Sequence, residues 1–133
     1  MHLLTTSILS DLTTRAQASE RLRMNYNLHA TLEDKVHRIF NALEPGTEIP
    51  IHRHQASDET ILVVRGSVRV QIYSDNKEIT ADVTLKAGTD TFGIDIKACE
   101  WHKCESLEPG TVIFEVKAGP YVPISPEDIL HLD

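Results

Sequence analysis

Cysteine is scarce in this 133-residue chain: Cys99 and Cys104 are the whole supply. They lack the second knuckle that would close a four-ligand structural zinc site. Cationic side chains are outnumbered, with 13 Lys and Arg against 20 Asp and Glu and a formal net charge of -7. No basic run forms a stripe, so phosphate neutralisation, and with it nucleic-acid binding, is a poor match. Long apolar runs are missing too: no stretch approaches a membrane span, and residues 1–11 have neither the basic lead nor the apolar block of a signal peptide. The expectation is a cytoplasmic protein, no membrane partner, and both thiols reduced. There is no repeat and no low-complexity segment. What is present, 41% hydrophobic and 25% charged residues, fits one compact domain.

One stretch carries chemistry. Gly46 is followed after five residues by His52-Arg53-His54, after four more by Glu59 and after six more by Gly66. In an extended strand alternate side chains share a face, so His52 and His54 project together and Glu59 can swing in beyond a short turn. His102, within Ala98-Cys99-Glu100-Trp101-His102-Lys103-Cys104, supplies a third imidazole. Three neutral imidazoles and a carboxylate suit one divalent transition ion, Fe, Mn, Zn or Ni, and leave positions for water or substrate. The rival view treats these residues as scattered surface groups, but the paired histidines, trailing carboxylate and bracketing glycines favour a joint role. A Cys/His zinc site is a second rival, because the cysteines flank His102. Cys104 shares the parity of His102 and reads as a small apolar filler of the interior.

Elsewhere the pattern is mostly β. Residues 7–18 form the exception, a short helix with Ile8, Leu9, Leu12 and Ala16 on one face, capped by Ser7 or Ser10 and bracketing the body from outside. Arg21 to Asn27 alternates, with Leu22, Met24 and Tyr26 on one side and Arg21, Arg23, Asn25 and Asn27 on the other. Runs at 59–65, 68–73, 78–85, 91–96, 101–106 and 111–117 are rich in Val, Ile and Thr and are separated by turn residues, which indicates a double-sheet jelly roll. Ile61 and Val63 share the face of Glu59, and Val68, Val70 and Ile72 alternate in the next strand, so apolar walls surround the polar donors. Residues 36–43 match a helical stripe and a strand equally well.

The glycine, His-x-His, Glu, glycine spacing resembles the first cupin motif, and Gly93 to His102 resembles the second, with Lys97, Ala98, Cys99 and Glu100 where Pro and Gly are usual. Arg21 to His29, Asn41 to Thr47, Trp101-His102 and Phe114 to Tyr121 are together similar to the WbuC-type cupin metalloproteins, a likeness spanning roughly residues 20 to 121. Members of that family are often encoded among bacterial surface-polysaccharide genes. The resemblance implies an all-β cupin barrel over 21–121, preceded by a helical segment (1–20) and followed by a tail (122–133) packed on the barrel. It also selects a strand for 36–43. It implies a mononuclear centre of His52, His54, Glu59 and His102 that acts on or binds a small polar molecule, such as a sugar derivative, with isomerase- or epimerase-like chemistry. An iron-dependent dioxygenase and a non-catalytic, metal-dependent binding or sensor module are the alternatives. Arg23, Asn25, Asn27, Arg38, Lys117 and Tyr121 are the substrate-facing candidates, and His29 could enter the same pocket. His2, His37 and His131 read as exposed. Exposed barrel strands and the likeness are compatible with a homodimer.

Overall fold

The computed structural model describes residues 1–133. A helix, α1 (Thr6–Ala18), precedes β1 (Arg23–Asn27), β2 (Val36–Leu43), β3 (Ile51–His52), β4 (Glu59–Arg65), β5 (Ser67–Tyr73), β6 (Ile79–Lys86), β7 (Gly93–Ile96), β8 (Trp101–Ser106) and β9 (Val112–Ala118). A 3-10 turn (Pro126–Asp128) then leads into β10 (Ile129–Leu130). Two five-stranded sheets result, in the orders β1-β2-β9-β4-β7 and β10-β3-β8-β5-β6. Every pairing is antiparallel, and the two sheets face each other as a jelly roll.

The core follows from alternation. Ile61, Val63 and Ile113 of the first sheet meet Val68, Val70, Leu85 and Cys104 of the second in one buried cluster. Burying such side chains is the main force closing the two sheets, at roughly 1.5–3 kcal/mol each. Cys104 is thus a core filler, and Cys99 is exposed; neither is bonded to the other. Residues 36–43 are a strand because Val36 to Ala42 pair continuously with Ala118 to Val112, a gain that a lone two-turn helix could not match.

Helix α1 packs on the outside of the first sheet. Leu12 and Ala16 bury against Phe40, Ala42 and Val112, with Met24, Tyr26 and Phe114 around them. Phe40 and Ala42 of β2, with Met24 and Tyr26 of β1, therefore lie beneath the helix, whereas Arg23, Asn25 and Asn27 of β1 and His37, Ile39 and Asn41 of β2 line the inner side. The helix is entered at Thr5, whose side chain makes no capping bond, so neither Ser7 nor Ser10 is the cap. Ser10 lies inside the helix, and its hydroxyl instead accepts from Arg65 Nη1 at 3.2 Å.

Two local features shape the site. Gly66 turns the chain between β4 and β5 with φ +77°, and a Cβ there would sit 2.8 Å from the Thr111 Cα, so only glycine fits. The C-terminal tail does more than lie on the barrel: β10 adds a strand beside β3, pairing Ile129 with His52.

The docking of α1 is testable. Leu12, 1% exposed, replaced by Ala should cost roughly 3 kcal/mol in denaturant unfolding. An unchanged midpoint would mean that the helix does not seal the outer face.

Candidate metal centre

The two sheets each contribute donors. His52 on β3 and His102 on β8 are direct cross-strand partners in the second sheet. Glu59 opens β4 in the first sheet, and His54 lies in the loop between β3 and β4. Since β3 ends at His52, the two histidines do not share a strand; the loop, not strand alternation, delivers His54. One nitrogen or oxygen from each of the four lies within 4.8 Å of the others. His54 Nε2 and His102 Nε2 stand 3.2 and 3.3 Å from Glu59 Oε2.

The backbone decides which ring nitrogens are bare. His52 Nδ1–H donates to the Pro50 carbonyl at 2.9 Å, and His102 Nδ1–H donates to the Glu100 carbonyl at 3.0 Å. In a neutral imidazole this leaves Nε2 as a lone pair. His102 Nε2 therefore directs a lone pair at a carboxylate oxygen, and neither Glu59 Oε2 nor His54 Nε2 has a hydrogen-bond partner despite being buried. Converging lone pairs around a buried orphan oxygen fit a divalent cation, and the carbonyl contacts are of the kind that orient metal-bound imidazoles.

Electrostatics favour a neutral His52. Burial, followed by the neighbouring His102, pushes His52 down to about 4. Burial opposes the ionisation of Glu59, but any N–H that His102 or His54 turns toward it, together with the charge of Lys117, holds it well below the usual carboxylate range. One carboxyl behaves differently. Glu115, on β9 opposite Ile61 of β4, is pushed up to about 8 by burial and then by the charge of Glu59.

Glu115 opens the view to a cavity of about 430 Å³ on the inner face of the first sheet. Five of the substrate-facing residues expected from the sequence, Arg23, Asn25, Asn27, Lys117 and Tyr121, line it. Lys117 lies directly opposite Glu59 in the β4–β9 register, so the cavity abuts the four donors although none of them is in its lining. Arg38 is not there. Strand parity puts it with Phe40 and Ala42 on the outer face of β2, and it is exposed. His37 corrects the reading in the other direction: it is 2% exposed, not a surface residue. It lines the cavity with His29, their rings stacked 4.0 Å apart at 4°. His2 and His131 are exposed.

The loops carrying the donors are tied to their surroundings. The Cys99 amide donates to the His54 carbonyl at 2.8 Å, and the Ala98 amide to Asp58 Oδ1 at 2.9 Å. This joins the loop of His54 and Glu59 to the turn before His102, in which Cys99 takes the left-handed conformation at φ 72°. From the tail, Asp128 Oδ1 accepts from Arg53 Nε at 2.9 Å and from Gln55 Nε2 at 2.6 Å, bracketing His54. The Arg53 guanidinium also rests 4.3 Å over the Trp101 ring.

A family model described as a domain of unknown function, DUF6016, matches residues 4–85. The chain belongs to this family. No curated protein matches the sequence. Among solved structures, this DUF6016 protein is similar to KdgF from Halomonas sp., with TM-score 0.59 and 17% identity over 75% of this chain and 82% of that one. The Schizosaccharomyces pombe Cnp3 cupin domain aligns with TM-score 0.59 and 9% identity, over 74% of this chain and 66% of that one. The capsular polysaccharide assembling protein CapF from Staphylococcus aureus aligns with TM-score 0.60 and 19% identity, over 84% of this chain but 29% of CapF. Likeness at these identities shows the fold, a cupin jelly roll. No helix is long and apolar enough to cross a membrane.

Two outcomes follow from the geometry. Asp128→Ala should weaken divalent-metal affinity, because it frees the residues on either side of His54; competition against a chromogenic chelator measures it, and unchanged affinity would contradict the clamp. The second concerns pH in chelator-treated protein. Folded Glu115 keeps its proton up to about 8 whereas the unfolded chain releases it near 4.5, so stability falls as pH rises through that window. His52 acts oppositely: its neutral form contributes stability above 6.5 that is lost as pH falls toward about 4. Glu115→Gln should therefore gain stability at pH 8 and little at pH 4, with the acid limb retained. Equal shifts at both pH values in thermal melts would contradict a protonated Glu115.

Proposed function

We propose that this protein is a mononuclear metal-dependent cupin whose ion is held by His52, His54, Glu59 and His102 and which acts on a small polar molecule, a sugar derivative in surface-polysaccharide metabolism. The observation that carries the reading is the set of bare imidazole nitrogens facing the orphan oxygen of Glu59. The WbuC-type likeness over residues 20 to 121 and the fold shared with CapF support the polysaccharide context. A divalent ion bound there would supply Lewis acidity toward a carbonyl or a pair of hydroxyls.

The chain's own residues supply the remainder. Asn25, Asn27 and Lys117 face the cavity and can hold hydroxyls and orient them toward the donors. Glu115 lies diagonally across the β4–β9 pair from Glu59 and, pushed up to about 8, can serve as an acid or base near the reacting position. That carboxyl favours an isomerase- or epimerase-like step over a binding module without turnover. The apolar walls of Ile61 and Val63 limit water around it.

Replacing His52 and His54 together by Ala should remove bound metal from the purified protein while leaving the β-rich circular dichroism spectrum intact. Elemental analysis is the readout, and full metal retention in the folded double variant would end this reading.

A further inference from the structure

The cavity beside the donors has a charge opposite to that of the chain. The protein carries -7, yet Arg21, Arg23 and Lys117 all border this one cavity, whose lining contains a single carboxylate, Glu115. Of the other cations, Arg53, Arg69, Lys77, Lys86 and Lys97 each sit in an ion pair, and Arg15, Lys35, Arg38, Arg65 and Lys103, which also lack one, are not in the cavity lining. Arg21, Arg23 and Lys117 make none, in a chain with acidic residues to spare. Unpaired cations gathered on a concave inner face attract and focus anions.

Neutral donors complete the lining. His29 Nδ1 accepts from the Arg38 amide at 3.2 Å, which puts the ring proton on Nε2, and that buried N–H has no partner. Asn25 Nδ2 donates to Asn27 Oδ1 at 2.9 Å, leaving the Asn25 carbonyl and the Asn27 amide protons for other partners. Planar guanidinium groups suit the paired oxygens of a carboxylate or phosphate, and side-chain amides suit hydroxyls.

We infer that this cavity binds a small polyhydroxy compound bearing one oxyanion group, a sugar acid or a sugar phosphate, with the anion on Arg21, Arg23 and Lys117 and the hydroxyls on the asparagines. The inference deepens the metal-dependent reading above, since Lys117 faces Glu59 across the strand pair and so sets the bound anion beside the donors.

The test is calorimetric titration of the full chain, metal-loaded and chelator-treated, with sorbitol, gluconate and glucose 6-phosphate. At least one anion should bind about tenfold or more tightly than sorbitol, or roughly 1.4 kcal/mol. Gluconate leading identifies a sugar acid, and the phosphate leading identifies a sugar phosphate. Arg23→Gln and Lys117→Gln should each erase the preference, and Lys117→Arg should keep it, with thermal melts verifying that each variant is folded. Sorbitol binding as tightly as both anions, no anion binding in the millimolar range, or a preference that survives the double Gln variant would each overturn the inference. Metal content of the same samples separates the two proposals. A chain that holds no metal yet prefers the anion sinks the metal reading alone, and one that holds metal without the preference sinks this one alone.

Discussion

Three imidazoles and a carboxylate, brought from two different sheets to within 4.8 Å, impose the central constraint on this molecule. Left to themselves they are unfavourable neighbours, because lone pairs meet and Glu59 is buried without a hydrogen-bond donor. The surrounding architecture accepts that cost and holds the arrangement in place. The carbonyls of Pro50 and Glu100 fix two rings, the Cys99–His54 and Ala98–Asp58 contacts join the two donor loops, and Asp128 pins the segment around His54. A cation would convert the repulsion into a bond between the sheets.

The second constraint is the inversion of the first sheet. In a jelly roll the inner face is normally the apolar one, and the core cluster shows that half of the barrel obeys this. Toward β1 and β2 the inner face becomes mostly polar, and Phe40, Ala42 and the neighbouring Val112 face outward, where they would be exposed if α1 did not cover them. The helix is thus what permits a polar, cationic cavity inside the barrel. Its docking and the cavity are two consequences of one alternation.

Much of this was legible in the chain. The His52, His54, Glu59 and His102 set stands out by residue type and spacing, and short Val-, Ile- and Thr-rich runs between turn residues indicate two β-sheets. What was not legible depended on register. Glu115 looks like any strand glutamate until β9 is placed beside β4, opposite Ile61. His37 reads as exposed because nothing local reveals that its alternates, Ile39 and Asn41, line a cavity, and Arg38 fails as a pocket residue for the same one-residue reason. The delivery of His54 by a loop was also hidden, since a two-residue strand leaves no periodic trace.

The most direct test is X-ray absorption spectroscopy of the protein loaded with one equivalent of a divalent transition metal. The account predicts a mononuclear ion with imidazole scattering from three histidines, an oxygen ligand, first-shell distances near ~2.0–2.2 Å and no sulfur. A spectrum requiring thiolate ligation, or one showing an ion coordinated by water alone, would contradict it.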